Sequence, residues 1–318
     1  MEGQERIQRH PQMQKEQNTM STANNPFREH PSTYFVQDRS NEEEMTRLQI
    51  QDEMITAGMG GVLPEQADPT SFQRILDVGC GTGGWLIDIA RTYPTMSMLV
   101  GVDVSNQMLE YARAQAARHQ VSERVQFRAM DALRMLEFPT ASFDLVNQRL
   151  GMSYLRTWDW PKLLSEYQRV MRLDGVIRVT ECNFPMSGST ALTRLSNQFI
   201  RALSQAGHLF TPDDTNGVIN ELARLLQQHG FSNVQTRVHT LEHRAGTAEG
   251  QSFYEDVKRM FRTLLPFFRK WSRVPDDYEE IYHQALKDIQ QPGFVATWTL
   301  LTVWGTNSSS HHSHSQRF

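Results

Sequence analysis

The sequence has little cysteine, no excess of positive charge and no long apolar run. Its 318 residues include two cysteines, Cys80 and Cys182, too few for a disulfide scaffold and without metal-ligand spacing. We therefore predict a cytoplasmic protein with no metal site. Acidic residues number 36 and basic residues 32, and the net charge of −4 disfavours a nucleic-acid partner. No segment has the pattern of a signal peptide or a membrane span, so no membrane partner is expected.

Composition divides the chain into two polar ends and a patterned middle. Residues 1–25 are rich in Gln, Glu and His, and residues 306–318 in Ser, His, Asn and Gln, so both are predicted to be disordered tails. Residues 26–70 contain an amphipathic helical stripe and are predicted to form an N-terminal helical lid. The apolar stripe also supports the hypothesis that two copies of the chain pair through this helix. The remaining segment, 71–305, is predicted to be the main domain.

Strand and helix patterns alternate through residues 74–175, which predicts an α/β fold. Short turns between them favour a mostly parallel sheet with helices on both faces. The pattern then changes, and helices are expected over 192–207 and 215–229. These two helices lie in a predicted helical cap, residues 187–230, over the substrate. Later in the chain, one helix is expected over 252–270 and another over 278–290.

A glycine-rich turn, Gly79-x-Gly81-x-Gly83, separates the first predicted strand from the first helix of the main domain. Glycine lets a ligand approach the backbone, and a helix N-terminus carries partial positive charge. Alone this signal is weak, because dinucleotide-binding folds share it. Acidic residues Asp77, Asp103 and Asp131 sharpen it. Each lies at the carboxyl end of a predicted parallel strand, the ligand-binding edge of such sheets.

Together these segments resemble class I S-adenosylmethionine (SAM)-dependent methyltransferases. Residues 75–83 resemble the family's first motif, 101–105 its second and 127–132 its adenine-contacting segment. Residues 143–146 and 166–175 are similar to its fourth-strand motif and following turn, although Leu173-Asp174-Gly175 replaces the common Pro-Gly-Gly. The resemblance covers residues 72–182 and implies a Rossmann-like fold with a mostly parallel, seven-stranded sheet.

The resemblance also implies a cofactor site. The cofactor would be SAM, leaving as S-adenosylhomocysteine (SAH), with Asp77 holding its ammonium and Asp103 its ribose. Met108 and Met130 would flank the adenine, and Asp131 would accept from its amine. The implied cofactor-binding residues are Asp77, Gly79, Gly81, Gly83, Asp103, Val104, Met108, Met130, Asp131, Ala132, Asn147 and Gln148.

Residues outside the cofactor turns are candidates for contact with the methyl acceptor. Tyr34 and Phe35 precede the N-terminal helix, in a segment similar to small-molecule methyltransferases of secondary metabolism. Tyr154 follows the fourth strand, and Asn183 and Phe184 follow the fifth. His208 lies near a loop of the predicted cap. Of these, His208 and Tyr154 are the candidates for a catalytic role, His208 as a general base.

The favoured function is methyl transfer to a small molecule at oxygen, nitrogen or carbon. The chain has no basic module for a nucleic acid, and Asn147-Gln148-Arg149-Leu150 differs from the Asn-Pro-Pro-Tyr type used on planar amino groups. A protein or nucleic-acid methyltransferase and a non-catalytic SAM-binding regulator remain alternatives. A nicotinamide oxidoreductase is disfavoured by Asp77.

Overall fold

The computed structural model describes residues 33–36, 42–212 and 214–308. The predicted tail 1–25 lies outside these residues, as does most of 306–318. Thr306 and Asn307 are described, and they belong to the last strand, where Thr306 pairs with Val176. The last strand therefore extends two residues past the boundary expected from composition.

Among the residues described, the centre of the molecule is one sheet of eight strands in the order β3-β2-β1-β4-β5-β8, with β6 and β7 both paired to β8. The strands are β1 Arg74–Val78, β2 Met98–Asp103, β3 Val125–Ala129, β4 Phe143–Arg149, β5 Met171–Cys182, β6 Met186–Ser187, β7 Phe231–Arg244 and β8 Val295–Asn307. The first five pair in parallel, and β8 runs antiparallel to its neighbours. The predicted mostly parallel Rossmann-like sheet is confirmed, with the two-residue β6 as an addition.

Alternating residues of the parallel strands form two separate hydrophobic cores. Leu76 and Val100 belong to one core, and their neighbours Ile75 and Leu99 belong to the other. This follows from the two-residue period of a strand, which sends successive side chains to opposite faces. Both faces of the sheet are therefore covered, and its carboxyl edge is left to bind ligands.

Nine α-helices surround this sheet within the described residues. They are α1 Glu42–Gly58, α2 Gly84–Thr92, α3 Asn106–Arg118, α4 Trp160–Val170, α5 Thr190–Ala206, α6 Ile219–Gln228, α7 Ala248–Thr263, α8 Leu265–Trp271 and α9 Tyr278–Ile289. The helix expected over 252–270 is thus two helices. Pro266 lies in the first turn of α8, where its missing N–H is tolerated. A proline in the interior of one continuous helix would break it, so the segment forms two helices. None of the helices in this described part is both long and apolar enough to cross a bilayer.

The N-terminal helix α1 packs against α7 of the same chain. Its buried residues include Glu44, Arg47 and Gln51 beside Met54 and Ile55, so the buried face is partly polar. The sequence had indicated an apolar stripe. Pairing of two chains through α1 stays a prediction.

Candidate active site

One cavity opens along the carboxyl edge of the sheet and extends beneath α1, α5 and α7. The half nearest β1, β2 and β3, called the acidic half here, is lined by residues 77, 79–82, 84, 102–105 and 130–133. The other half, called the aromatic half, is lined by Tyr34, Phe35, Phe184, Phe199, Phe253, Phe261 and Trp298, among others. A charged edge and an apolar chamber therefore share one space.

The turn after β1 forms the floor of the acidic half. Gly79 has φ of 71°, in the left-handed region that favours glycine. A Cβ on Gly79 would lie 2.7 Å from the Tyr154 hydroxyl oxygen, so a side chain is also excluded sterically. The Gly79 and Cys80 amides donate to the Val102 carbonyl and hold the turn against β2. The backbone of this turn therefore lines the floor of the cavity.

Asp77 lies beneath this turn and is 4% exposed. The Asn147 amide donates to its carboxylate at 2.7 Å. Arg178 in turn donates to the Asn147 carbonyl oxygen at 2.8 Å and pairs with Glu65. Burial nevertheless raises the pKa of Asp77 to about 7, although Arg149 and Asn147 act in the opposite direction. A positive group arriving in the cavity would favour the ionised form.

Asp103 and Asp131 line the same half of the cavity at the ends of β2 and β3. The Asp103 carboxylate is oriented by two backbone amides, Gly81 at 3.0 Å and Ser105 at 2.9 Å. Asp131 accepts from the Leu133 amide at 2.9 Å. These bonds fix the direction of each carboxylate, which suits them to recognise hydroxyl or amino groups at defined positions.

Most of the residues expected to bind the cofactor come together at this cavity. Its lining includes Asp77, Gly79, Gly81, Asp103, Val104, Met108, Met130, Asp131 and Ala132. Three expected residues do not line it. Gly83 is the N-cap of α2, and a Cβ there would lie 2.6 Å from the Phe127 ring. Asn147 and Gln148 are fully buried and support Asp77 and the Tyr167 hydroxyl, respectively.

The residues expected to contact the methyl acceptor also divide into those that line the cavity and one that does not. Tyr34, Phe35, Tyr154, Asn183 and Phe184 all line the cavity. Burial raises the pKa of Tyr154 well above 10, with further contributions from Glu181 and other acids, so it stays a neutral phenol. This makes Tyr154 unsuited to remove a proton.

His208 lies away from the cavity lining, contrary to the expectation of a general base there. Its side chain is 1% exposed, and Nδ1 lies 2.9 Å from the Met152 carbonyl oxygen. Burial lowers the pKa of His208 to about 4, so the ring is neutral at pH 7. The geometry gives His208 a supporting role beneath the loop that carries Met152.

The structure adds cavity residues that sequence reasoning missed. Glu181, at the carboxyl end of β5, and Asp256, from α7, both line the cavity and are almost completely buried. Glu181 satisfies the same strand-end rule as Asp77, so the sequence carried a signal for it. Asp256 meets Arg47 across 209 residues of chain, which no local pattern indicates.

A further ion pair, between Asp52 of α1 and Arg149 of β4, also lines the cavity. Both side chains are mostly buried, at 13 and 16% exposure. This pair fastens α1 to the ligand-binding edge of the sheet.

Comparison with known proteins identifies relatives over the sheet and the glycine turn. Residues 75–175 match the family model described as a methyltransferase domain. The demethylmenaquinone methyltransferase of Bacillus licheniformis is 30% identical over 173 residues, which are 50% of this chain and 71% of that protein. The aklanonic acid methyltransferase DauC of Streptomyces sp. (strain C5) is 30% identical over 122 residues, covering 38% of this chain and 54% of that one. Other demethylmenaquinone methyltransferases are matched over 42 to 72% of their lengths.

Among solved structures, phosphoethanolamine N-methyltransferase 2 of Haemonchus contortus superposes with a TM-score of 0.51 at 18% identity. The superposition covers 85% of this chain and 59% of that one, which was crystallised with phosphomonomethylethanolamine and SAH. At this identity the likeness concerns the fold alone.

Proposed function

Because the chain belongs to the family of SAM-dependent methyltransferases, we propose that it methylates a small, largely apolar molecule held in the aromatic half of the cavity. The cofactor is SAM, and the product is SAH. The observation that carries the proposal is the continuity of the cavity, whose acidic half and aromatic half share one space. A donor and an acceptor bound there would be neighbours.

The acidic half fits the parts of SAM one by one. Asp103 would accept from the ribose hydroxyls, since backbone amides already fix its direction. Met108 and Met130 would pack on the two faces of the adenine, and Asp131 would accept from its amine. Asp77 would pair with the ammonium of the methionine part, whose charge favours the carboxylate. Gly81, where an added Cβ would meet nothing within 4 Å, would leave room for the methionine part of SAM to approach the turn.

Methyl transfer requires the protein chiefly to position the two reactants. Bound SAM supplies a methyl group on a positively charged sulfur, which an acceptor displaces in line. Holding two reactants in a reactive orientation contributes ~7–11 kcal/mol to lowering the barrier. The aromatic half does this by excluding water and by packing rigid rings at fixed angles. Phe199 makes edge contacts with Phe35 at 5.2 Å and with Phe184 at 5.7 Å between ring centroids.

The acceptor is proposed to be a secondary metabolite, and the enzyme to work in the cytoplasm. The first proposal is supported by the name of one relative, an aklanonic acid methyltransferase. The second is supported by Cys80 and Cys182, both of which are free thiols.

Methyl transfer from radiolabelled SAM to a panel of small aromatic and isoprenoid acceptors tests the proposal. For an accepted compound, Phe199→Leu is expected to raise KM for the acceptor about fivefold, from loss of ring contacts worth ~0.5–1.5 kcal/mol, with KM for SAM unchanged. Phe138→Leu is the matched control, since Phe138 also makes an edge contact with another ring but lies outside the cavity. Transfer to a protein or nucleic acid, with none to small molecules, would contradict the proposal.

A further inference from the structure

Glu181 is a buried carboxyl group at the meeting point of the two halves of the cavity. It lies one residue before the end of β5, lines the cavity and is 0% exposed. Tyr154, whose hydroxyl lies against Gly79 in the acidic half, is close enough to Glu181 for the two to interact electrostatically. Its neighbour Cys182 interacts in the same way with Asp256 in the aromatic half. Glu181 thus lies between the cofactor turn and the acceptor wall.

The surroundings of Glu181 contain donors but no counter-charge. The Met152 amide donates to its two oxygens at 3.2 and 3.3 Å, and the Gly151 amide also contacts it. Across the part of the chain that the structure describes, no Lys or Arg forms an ion pair with it. By contrast, Asp256, another buried acid of the cavity, is paired with Arg47. A buried carboxyl without a cation is costly to ionise unless a ligand supplies the charge.

The titratable groups that face Glu181 do not supply it either. They are Tyr154 from the loop after β4, Tyr167 from α4 and Cys182 next to it on β5. Opposite it on β8 is Leu301. All three titratable neighbours are neutral in their protonated form. Burial accordingly raises the pKa of Glu181 to about 8.

We propose that Glu181 is the general base of the methyl transfer and that it becomes a carboxylate when the positive sulfonium of SAM occupies the cavity. The inference rests on the proposed function. In the step, the acceptor's heavy atom forms a bond to the methyl carbon, and the carbon–sulfur bond breaks with its electron pair left on sulfur. The proton that the acceptor loses moves to a Glu181 oxygen. Loss of the sulfonium charge then favours the protonated acid again, which resets the site.

The supporting loop explains how the base is held. The Met152 amide donates to Glu181 while the Met152 carbonyl lies against His208. His208 therefore positions Glu181 through one residue, although it does not reach the cavity. The histidine that the sequence suggested as the base becomes a support for the base.

Calorimetric titration with SAM and with SAH at pH 8.0, in two buffers of different ionisation enthalpy, separates the proposed effect from ordinary binding. Both ligands carry the ammonium that faces Asp77, but only SAM carries the sulfonium. Wild-type enzyme is expected to release about half a proton more with SAM than with SAH, because a group is half protonated at its pKa. In Glu181→Gln, which keeps the shape and an acceptor oxygen, this difference should vanish while both ligands still bind.

Glu123→Gln, an exposed site outside the cavity, is the matched control and should behave as wild type. Equal proton release with SAM and SAH in the wild type, or a difference that persists in Glu181→Gln, would overturn the inference alone. Failure of the wild type to bind either ligand would overturn the proposed function and this inference with it. With an acceptor found in the panel, Glu181→Gln should also lower kcat by about 10²–10⁴-fold and remove the rise of kcat with pH.

Discussion

At the scale of single residues, Asp77 makes cofactor affinity depend on pH. Its pKa in the ligand-free protein is about 7, so at pH 6 the Asp77 carboxyl is protonated in most protein molecules. It must lose that proton before it can pair with the ammonium of the ligand. Affinity for SAH is therefore expected to rise by roughly tenfold from pH 6 to pH 8 and to level off above, because each pH unit below the pKa costs about a factor of ten. Calorimetry across this range measures it.

Asp77→Asn should bind SAH more weakly and with no dependence on pH between 6 and 8, since an amide does not titrate there. Asp276→Asn, at an exposed loop position, is the matched control. A wild-type affinity that falls as pH rises would contradict the role given to Asp77.

How far the sequence predicted the site also differs residue by residue. Asp103 and Asp131 were indicated because a strand pattern ends at each, and the structure brings both to the cavity. Asn147 follows the same rule along its strand, yet its side chain points below the edge to support Asp77. Asn147 is in register with Asp77 and lies two residues before the end of β4, whereas Asp103 is the last residue of β2, so depth along the strand decides between these outcomes. His208 was suggested by its residue type and by its place near a loop of the predicted cap, and neither carries information on burial.

At the scale of elements, α1 and α7 are held together by a buried charge cluster. Arg47 binds both oxygens of Glu44, at 2.7 and 2.8 Å, and Asp256 at 3.1 Å. The Tyr34 hydroxyl donates to Glu44 at 2.6 Å, which ties the segment before α1 to the same cluster. Every member lies at or beside the aromatic half of the cavity, so the cluster also shapes that chamber.

Removing Arg47 should therefore destabilise the whole fold. Arg47→Met leaves Glu44 and Asp256 buried without their cation, and the free energy of unfolding is expected to fall by ~3–5 kcal/mol. Urea denaturation followed by circular dichroism measures it. Arg91→Met, which breaks an exposed pair with Asp88, should cost under about 1 kcal/mol. Equal losses of unfolding free energy in the two variants would show that the buried cluster does not hold α1 against α7.

Elements with strong periodicity were predictable, and the contacts between them were not. The alternation through residues 74–175 gave the parallel strands in order, because each strand is short, apolar and bounded by turns. The apolar stripe of α1 correctly predicted a helix, but its buried face is partly polar and not apolar as the stripe indicated. Arg47 finds Asp256 only after the sheet has placed α1 beside α7, and such long-range pairing leaves no trace in local periodicity.

At the scale of the whole molecule, the carboxyl edge of the sheet gathers acids from β1, β2, β3 and β5 around one cavity. The first three fit a cofactor, and Glu181 faces the boundary with the aromatic half. Occupation of the acidic half by the cofactor is the central premise, since the position of the acceptor and the role of Glu181 both follow from it.

Calorimetric titration of the wild type and Asp103→Asn with SAH tests this claim most directly. The account predicts one site per chain in the wild type and a loss of affinity of at least tenfold in Asp103→Asn, because a hydrogen bond to a charged group contributes ~1.5–3 kcal/mol. Asp276→Asn should bind as the wild type does. Undiminished binding by Asp103→Asn, or no binding by the wild type, would contradict it.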